Sequence, residues 1–242
     1  MTIGLTGVKI VGEFLSSSYQ RVSHVYMDSR CQGMERKGIE TLASKKGVFL
    51  KRVGKEETAL KYGGKKVKNG IVATIPGFSY FDIEEITSPG ENEKNAVLML
   101  DRIQDPHNLG AIARSAYCFG VAGVVLQEKG SSQVTDGAIL SSSGALAHIR
   151  VARVVNLSRA IDHFKKAGYW VYGATPHGGT GVGKIDFAGR VLLLIGSEGG
   201  GIRKKLLEKC DMRVSVPTDS SFDSLNVSVA VGIILHTMRN EG

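Results

Sequence analysis

Three short stretches in the C-terminal half hold the polar residues on which chemistry could be built. LIGSEGGG, Leu194 to Gly201, sets a single carboxylate, Glu198, among glycines and a serine directly after the apolar run VLLL. A lone charge at the end of a buried strand must face water or hold a partner, and glycines let backbone approach whatever is held. DRIQDPHNLGAIARSA brings Asn108 and Arg114 onto one helical stretch, and VPTDSSFDSLNVSVAVG leads Asp219, Ser220, Ser221, Asp223, Ser224 and Asn226 into an apolar run. Such groups bind, orient and stabilise charge. A fourth stretch, GATPHGGTGVGK, fits neither phosphate-loop pattern: it lacks GxxxxGK followed by Ser or Thr, and its near miss to GxGxxG precedes no helical run. Cys31, Cys118 and Cys210 stand far apart without paired spacing, which suggests neither a disulfide framework nor a zinc knuckle, and no metal is expected.

Each stretch also has an ordinary structural reading. Asn108 is placed to cap the helix NLGAIARSAYCFG, Ser197 or Glu198 could face the positive end of a helix IRKKLLEKC, and serines before a helix are common caps. The elements that must carry these stretches follow from apolar periodicity. After residue 95, the runs AVLMLD, GVVLQ, YWVYGA, RVLLLIG and MRVSVP read as strands, with NLGAIARSAYCFG, SRAIDHFKKAG, IRKKLLEKC and LNVSVAVGIILHTMRN as helices between or after them. Nearly continuous apolar strands alternating with helices argue for a parallel sheet covered on both faces, with ligands held outside the strands' carboxyl ends. All the polar stretches above fall at such ends.

Upstream, VGEFLSSS and KGIETLASK read as helices and VSHVYMD and GVFLKRV as strands, a small α/β unit. The polar stretch Glu84–Asn95 shows no apolar periodicity and reads as a loop. The expected organisation is therefore a small domain over 1–88, a linker over 89–95 and a parallel-sheet domain over 96–242. The 242 residues are 42% hydrophobic, enough for a substantial core, and carry a formal net charge of +8, attractive to polyanions such as nucleic acid. Basic residues gather in the first domain, and Lys65, Lys66 and Lys68 are the expected contacts to such a polyanion. No apolar run approaches the ~20 residues needed to cross a bilayer, and the N-terminus lacks a signal-peptide pattern, so a soluble cytoplasmic protein with no membrane partner is expected.

NLGAIARSA, LIGSEGGGI and SLNVSVAVGI, in this order and spacing, resemble the three signature motifs of the SpoU/TrmH family of RNA ribose 2′-O-methyltransferases, within the knotted SPOUT superfamily. The likeness runs from about Asn95 to the end. The N-terminal part is similar to the small ribosomal-protein-like substrate-binding domain of the family's large-subunit ribosomal RNA methyltransferases, whose glutamine-glycine feature appears here as KNGIVA, Lys68 to Ala73. The resemblance implies a C-terminal trefoil knot, S-adenosylmethionine as methyl donor, a homodimer, and an RNA substrate, a guanosine of 23S ribosomal RNA ahead of transfer RNA or a non-catalytic RNA-binding role. By residue match, Gly196, Val216 and Leu225 contact the cofactor through backbone, with Ala174 and Thr175 beside it. Asn108, Arg114, Glu198 and Asn226 match the positions around the methyl acceptor, with Ser224 and Ser228 as neighbours. A guanidinium is effectively always protonated, so Arg114 is assigned to an adjacent phosphate and the forming alkoxide, and Glu198 to holding the site in shape.

Overall fold

Continuous apolar runs need cover on both faces, and the computed structural model, which describes residues 2–87, 96–219 and 225–240 without the side chain of Asn240, provides it. In chain order come β1 (Ile3–Thr6), α1 (Val8–Ser16), β2 (His24–Met27), α2 (Gly33–Lys45), β3 (Phe49–Arg52), α3 (Lys55–Lys61), β4 (Ile71–Ile75) and α4 (Glu84–Thr87). There follow β5 (Ala96–Asp101), α5 (Pro106–Phe119), β6 (Gly123–Gln127), α6 (Asp136–Ser141), β7 (Arg150–Val154), α7 (Leu157–Lys166) and β8 (Tyr169–Ala174). The last are β9 (Thr180–Gly181), β10 (Arg190–Gly196), α8 (Lys204–Leu207), β11 (Met212–Ser215) and α9 (Val227–Asn240). Two compact units result: Met1–Ser79 with Val134–His148, and Tyr80–Gln133 with Ile149–Gly242. The segment carrying α6, which the sequence pattern groups with the C-terminal domain, thus belongs to the first unit. The expected linker 89–95 and Ser224 lie outside the described residues.

The first unit holds a four-stranded sheet in the order β1-β4-β2-β3, with only β2 and β3 parallel. Helix α1 buries Ile10, Val11, Phe14 and Leu15. Just past β2, the carboxylate of Asp28, 1% exposed, accepts bonds from Arg30 Nε (2.9 Å), Nη2 (2.5 Å) and backbone N (2.9 Å) and from Thr58 Oγ1 (2.7 Å). The Arg30 guanidinium holds this carboxyl well below the usual carboxylate range, against the opposing effect of burial. KNGIVA is shaped by the same group. Asn69 and Gly70 both take positive φ, the Gly70 carbonyl accepts from Asp28 N at 2.9 Å, and a Cβ on Gly70 would fall 2.3 Å from Asp28 Oδ1.

The second unit holds a seven-stranded sheet in the order β7-β6-β5-β10-β8-β11-β9, parallel throughout. On one face Val97, Met99, Val125, Ala152, Val171, Leu192 and Leu194 share a core with Leu157, Ala160, Ile161 and Phe164 of α7. The alternate residues Leu98, Leu100, Val124 and Leu193 are equally buried, while α5 packs against β6 and α9, and α9 against β10. Strand order runs outward from β5 through β6 and β7 on one side and through β10 and β8 on the other, so the crevice between β5 and β10 is the topological switch point.

Two segments read from the sequence take another form. IRKKLLEKC is helical only over Lys204–Leu207, because Arg203 is held extended (φ −57°, ψ 136°) by its bonds to Asp101, and Asp211 anchors the far end by accepting from Val171 N at 2.8 Å. Within the polar stretch Glu84–Asn95, residues 84–87 form a helical turn that drives Ile86, wholly buried, into the sheet core.

The Asp28 cluster gives a pH-dependent stability. Arg30→Met should cost about 2 kcal/mol at neutral pH, since it strips charged hydrogen bonds from a carboxylate that stays buried. A depressed carboxyl contributes fully above its unfolded value of about 3.9 and loses that contribution as pH falls through the lower folded value. Urea unfolding of wild type and Arg30→Met should therefore differ at pH 7 and converge as the pH drops below 4. A constant gap across that range would place the energy elsewhere.

Candidate active site

Helix α5 is capped by Asp105, whose side chain accepts from His107 N at 2.8 Å, with Pro106 in the first helical position. Asn108 is therefore not the cap that sequence spacing suggests. It lies inside the first turn, and its side chain is free to leave the helix. Asn226 stands just before α9, and Ser228 donates to Asn226 Oδ1 from its backbone N (2.9 Å) and its hydroxyl (2.6 Å). This fixes the amide's orientation, so that Nδ2 donates to Glu198 Oε1 (2.6 Å) and to Asn108 Oδ1 (3.2 Å). Asn108 Nδ2 donates to Glu198 Oε1 in turn, at 3.2 Å. Asn108, Glu198 and Asn226, distant in sequence, thus form one closed triangle of polar groups. Arg114 sits farther along α5, exposed to solvent.

Glu198 rides on a turn that only glycine permits. Gly201 N donates to Ser197 O at 2.8 Å, and a Cβ on Gly196 would fall 2.1 Å from the Gly201 carbonyl carbon and 2.3 Å from Ile202 N. The exit of this turn is held by Asp101 at the end of β5, 0% exposed, which accepts from Arg203 N and Nε, both at 2.9 Å.

Beside the triangle opens a cavity of about 410 Å³, within the range of small-ligand and cofactor sites. Ala174, Thr175, Gly196, Val216 and Leu225, named from sequence as cofactor contacts, all line it. Thr175 Oγ1 is buried and has no hydrogen-bond partner among the described residues. Sequence reasoning missed the cavity's apolar wall, formed by Val227, Ala230, Val231 and Ile234, together with His177 and Thr218. The wall was there to be found: 227, 230, 231 and 234 are the i, i+3, i+4, i+7 face of α9. Of the residues expected to touch RNA, Lys65 pairs with Asp136 and lies over the Tyr62 ring, while Lys66 and Lys68 are exposed, all in the first unit. Among the described residues no group of three or more His, Cys, Asp or Glu could hold a metal ion.

A parallel sheet with a glycine-walled cavity outside the carboxyl ends of β8, β10 and β11 defines the class of α/β proteins that hold a nucleotide-sized ligand at their strand ends. Residues 95–236 match the SpoU rRNA methylase family, and the chain belongs to that family. It is 33% identical to the 23S rRNA (guanosine-2′-O-)-methyltransferase RlmB of Xanthomonas campestris, over 96% of this chain and 93% of the relative. The enzyme of the same name from Coxiella burnetii is 32% identical over 97% of this chain and 94% of its own length. The fold is shared with the SpoU methyltransferase AviRb from Streptomyces viridochromogenes, solved with AdoMet, at TM-score 0.82 and 23% identity over 99% of this chain and 90% of that one. It is shared equally with the AdoMet-bound rRNA methyltransferase from Sinorhizobium meliloti, at TM-score 0.82 and 21% identity over 99% of this chain and 87% of that one.

The turn geometry is open to direct test. A methyl group at Gly196 must displace the Gly201–Ile202 backbone, and overpacking of this kind costs about 1–3 kcal/mol. At Gly199, where an added Cβ meets nothing within 4 Å, the same change should be close to silent. Thermal melts of Gly196→Ala and Gly199→Ala should separate clearly. Equal melts would mean that the turn does not close on Gly196.

Proposed function

We propose that this chain transfers a methyl group from S-adenosylmethionine to a ribose 2′-hydroxyl of RNA, with a guanosine of 23S ribosomal RNA as target. The observation that carries this reading is the triangle of Asn108, Glu198 and Asn226, one residue from each family motif, beside the glycine-walled cavity. The two RlmB relatives, named as 23S rRNA guanosine-2′-O-methyltransferases, support the substrate. The cavity's residues fit the cofactor: the unsatisfied Thr175 hydroxyl and the turn at Gly196 present polar groups, and the α9 wall presents an apolar surface. When bound, S-adenosylmethionine supplies an electrophilic methyl group on a sulfonium.

The chain's own part is positioning and charge. The ribose oxygen must lie in line with the bond being broken, which alone supplies much of the rate. Glu198 Oε1 already accepts from two amides, and its role is to hold the loops of the three motifs in one geometry. Arg114 binds the phosphate next to the acceptor ribose and stabilises the oxygen as its proton departs. Lys65, Lys66 and Lys68 contact RNA phosphates in the first unit, which serves target choice. We also propose the trefoil knot in the C-terminal chain and action in the cytoplasm, where ribosomal RNA is made and used in a bacterial cell. Val229 and Ile233, 49% and 36% exposed on one face of α9, with Tyr117 of α5, 46% exposed, support a homodimer through these helices.

Arg114→Ala should bind S-adenosylmethionine as wild type does and lose methyl transfer by at least the ~10²–10³ associated with one oxyanion donor. Arg114→Lys should recover little, since an ammonium lacks the planar fork. Single-turnover methylation with saturating cofactor and RNA decides it, and a wild-type rate in Arg114→Ala would remove Arg114 from the chemistry. For the assembly, light scattering at micromolar concentration should give twice the chain mass, and Val229→Glu/Ile233→Glu should give the monomer. A monomeric wild type that methylates RNA would end the dimer proposal.

A further inference from the structure

Arg102 follows the buried carboxylate of Asp101, in the loop between β5 and α5. Among the described residues it is one of three non-glycines at positive φ, at 60°. The left-handed conformation is unfavourable for an L-residue and costs glycine almost nothing. The backbone turn gives no reason for an arginine here, so the reason lies in the side chain.

That side chain is poorly satisfied for a guanidinium with five N–H donors. Its Nη2 reaches Gly201 O at 3.4 Å, and its Nε stands 3.8 Å from Asp101 Oδ1, too far for a hydrogen bond. Nε is screened from water yet has no hydrogen-bond partner among the described residues. The charge of Asp101 is meanwhile taken up by Arg203, at 2.8 Å from Nη2 and 2.9 Å from Nε and backbone N. One positive charge at this strand end is therefore left over, on a side chain 38% exposed.

The location says what it could hold. An added Cβ on Gly200 would meet Arg102 Nη2 at 3.2 Å, so the guanidinium lies over the turn that carries Glu198, whose own carboxylate is engaged by Asn108 and Asn226. Arg102 does not line the 410 Å³ cavity, which argues against a carboxylate of the cofactor as its ligand. Beyond Arg203, the exposed Lys204 and Lys205 border a second recess of about 350 Å³ and add positive charge to the same edge of the sheet.

We propose that Arg102 is a phosphate-binding residue, gripping a backbone phosphate of the RNA strand beside the ribose to be methylated. This rests on the proposed RNA methyl transfer and adds a second arginine, outside the lining of the cofactor cavity. A planar fork with unused donors suits two phosphate oxygens.

The test uses the full chain, an unmodified 23S ribosomal RNA transcript, and the variants Arg102→Gly and Arg102→Lys. Because glycine favours this φ, Arg102→Gly should melt at or above the wild-type temperature and bind S-adenosylmethionine within about twofold of wild type. Its RNA affinity should fall about tenfold, its KM for RNA should rise by a similar factor with kcat less affected, and the slope of log K against log salt should shrink by about 0.7–1, one phosphate contact. Arg102→Lys should keep the wild-type slope with part of the affinity. An unchanged slope in Arg102→Gly overturns the proposal. So does a loss of cofactor affinity that matches the loss of rate, which would make Arg102 a brace for the turn. A wild-type chain that methylates no RNA would refute the proposed function, yet the salt slopes would still decide the phosphate contact.

Discussion

The carboxylate of Asp101 is the fixed point of the second unit. A wholly buried charge is tolerable only when paired and fully hydrogen-bonded, and here the pairing is supplied by the chain that leaves the next strand, β10. Arg203 cannot both satisfy Asp101 and begin a helix at Ile202, so the segment from Ser197 to Arg203 stays a turn and α8 is cut short. With its exit tied to β5 and its entrance continuous with β10, that turn is held from both ends. Glu198 then has little freedom, and the two asparagine amides find it at hydrogen-bond distance.

The two units solve the same problem differently. In the first, Asp28 is compensated within three residues of chain by Arg30, with Thr58 and the Gly70 turn closing around it, so one local cluster ties β2 to α3 and the entrance of β4. In the second, the compensation of Asp101 spans about a hundred residues and joins segments that have no local reason to meet. A local cluster stabilises one place; the long-range pair defines the register of a site.

The strands and long helices were legible because their apolar period is unambiguous: AVLMLD, RVLLLIG and the i, i+4 face of SRAIDHFKKAG could hardly be anything else. What escaped the sequence was decided by single side chains. Asn108 looks like a cap because Asn is a good one, yet Asp105, three positions earlier, takes that role with Pro106 behind it, and Asn108 is released to the site. Ile86 is one apolar residue in a polar run, too few to show a period, and its burial still sets the helical turn at 84–87. The cofactor-site residues named from motifs do line one cavity, but the apolar wall of α9 reads in sequence simply as core, because a residue that faces a cavity and one that faces a packed interior obey the same pattern.

Asn226 is where direction enters the site. A carboxamide is nearly symmetric in shape but not in polarity, and Ser228 removes the ambiguity by presenting two donors to one end, leaving the other end able only to give. Shape alone is therefore insufficient at this position. Aspartate, almost identical in outline, would turn the giving end into an acceptor and set a second negative charge where Glu198 now lies at 2.6 Å, an arrangement in which two carboxylates cannot both stay ionised. The head of α9 thus acts as a polarity filter: it admits a single anion to the meeting point of the three motifs and fixes which way every hydrogen bond there must run.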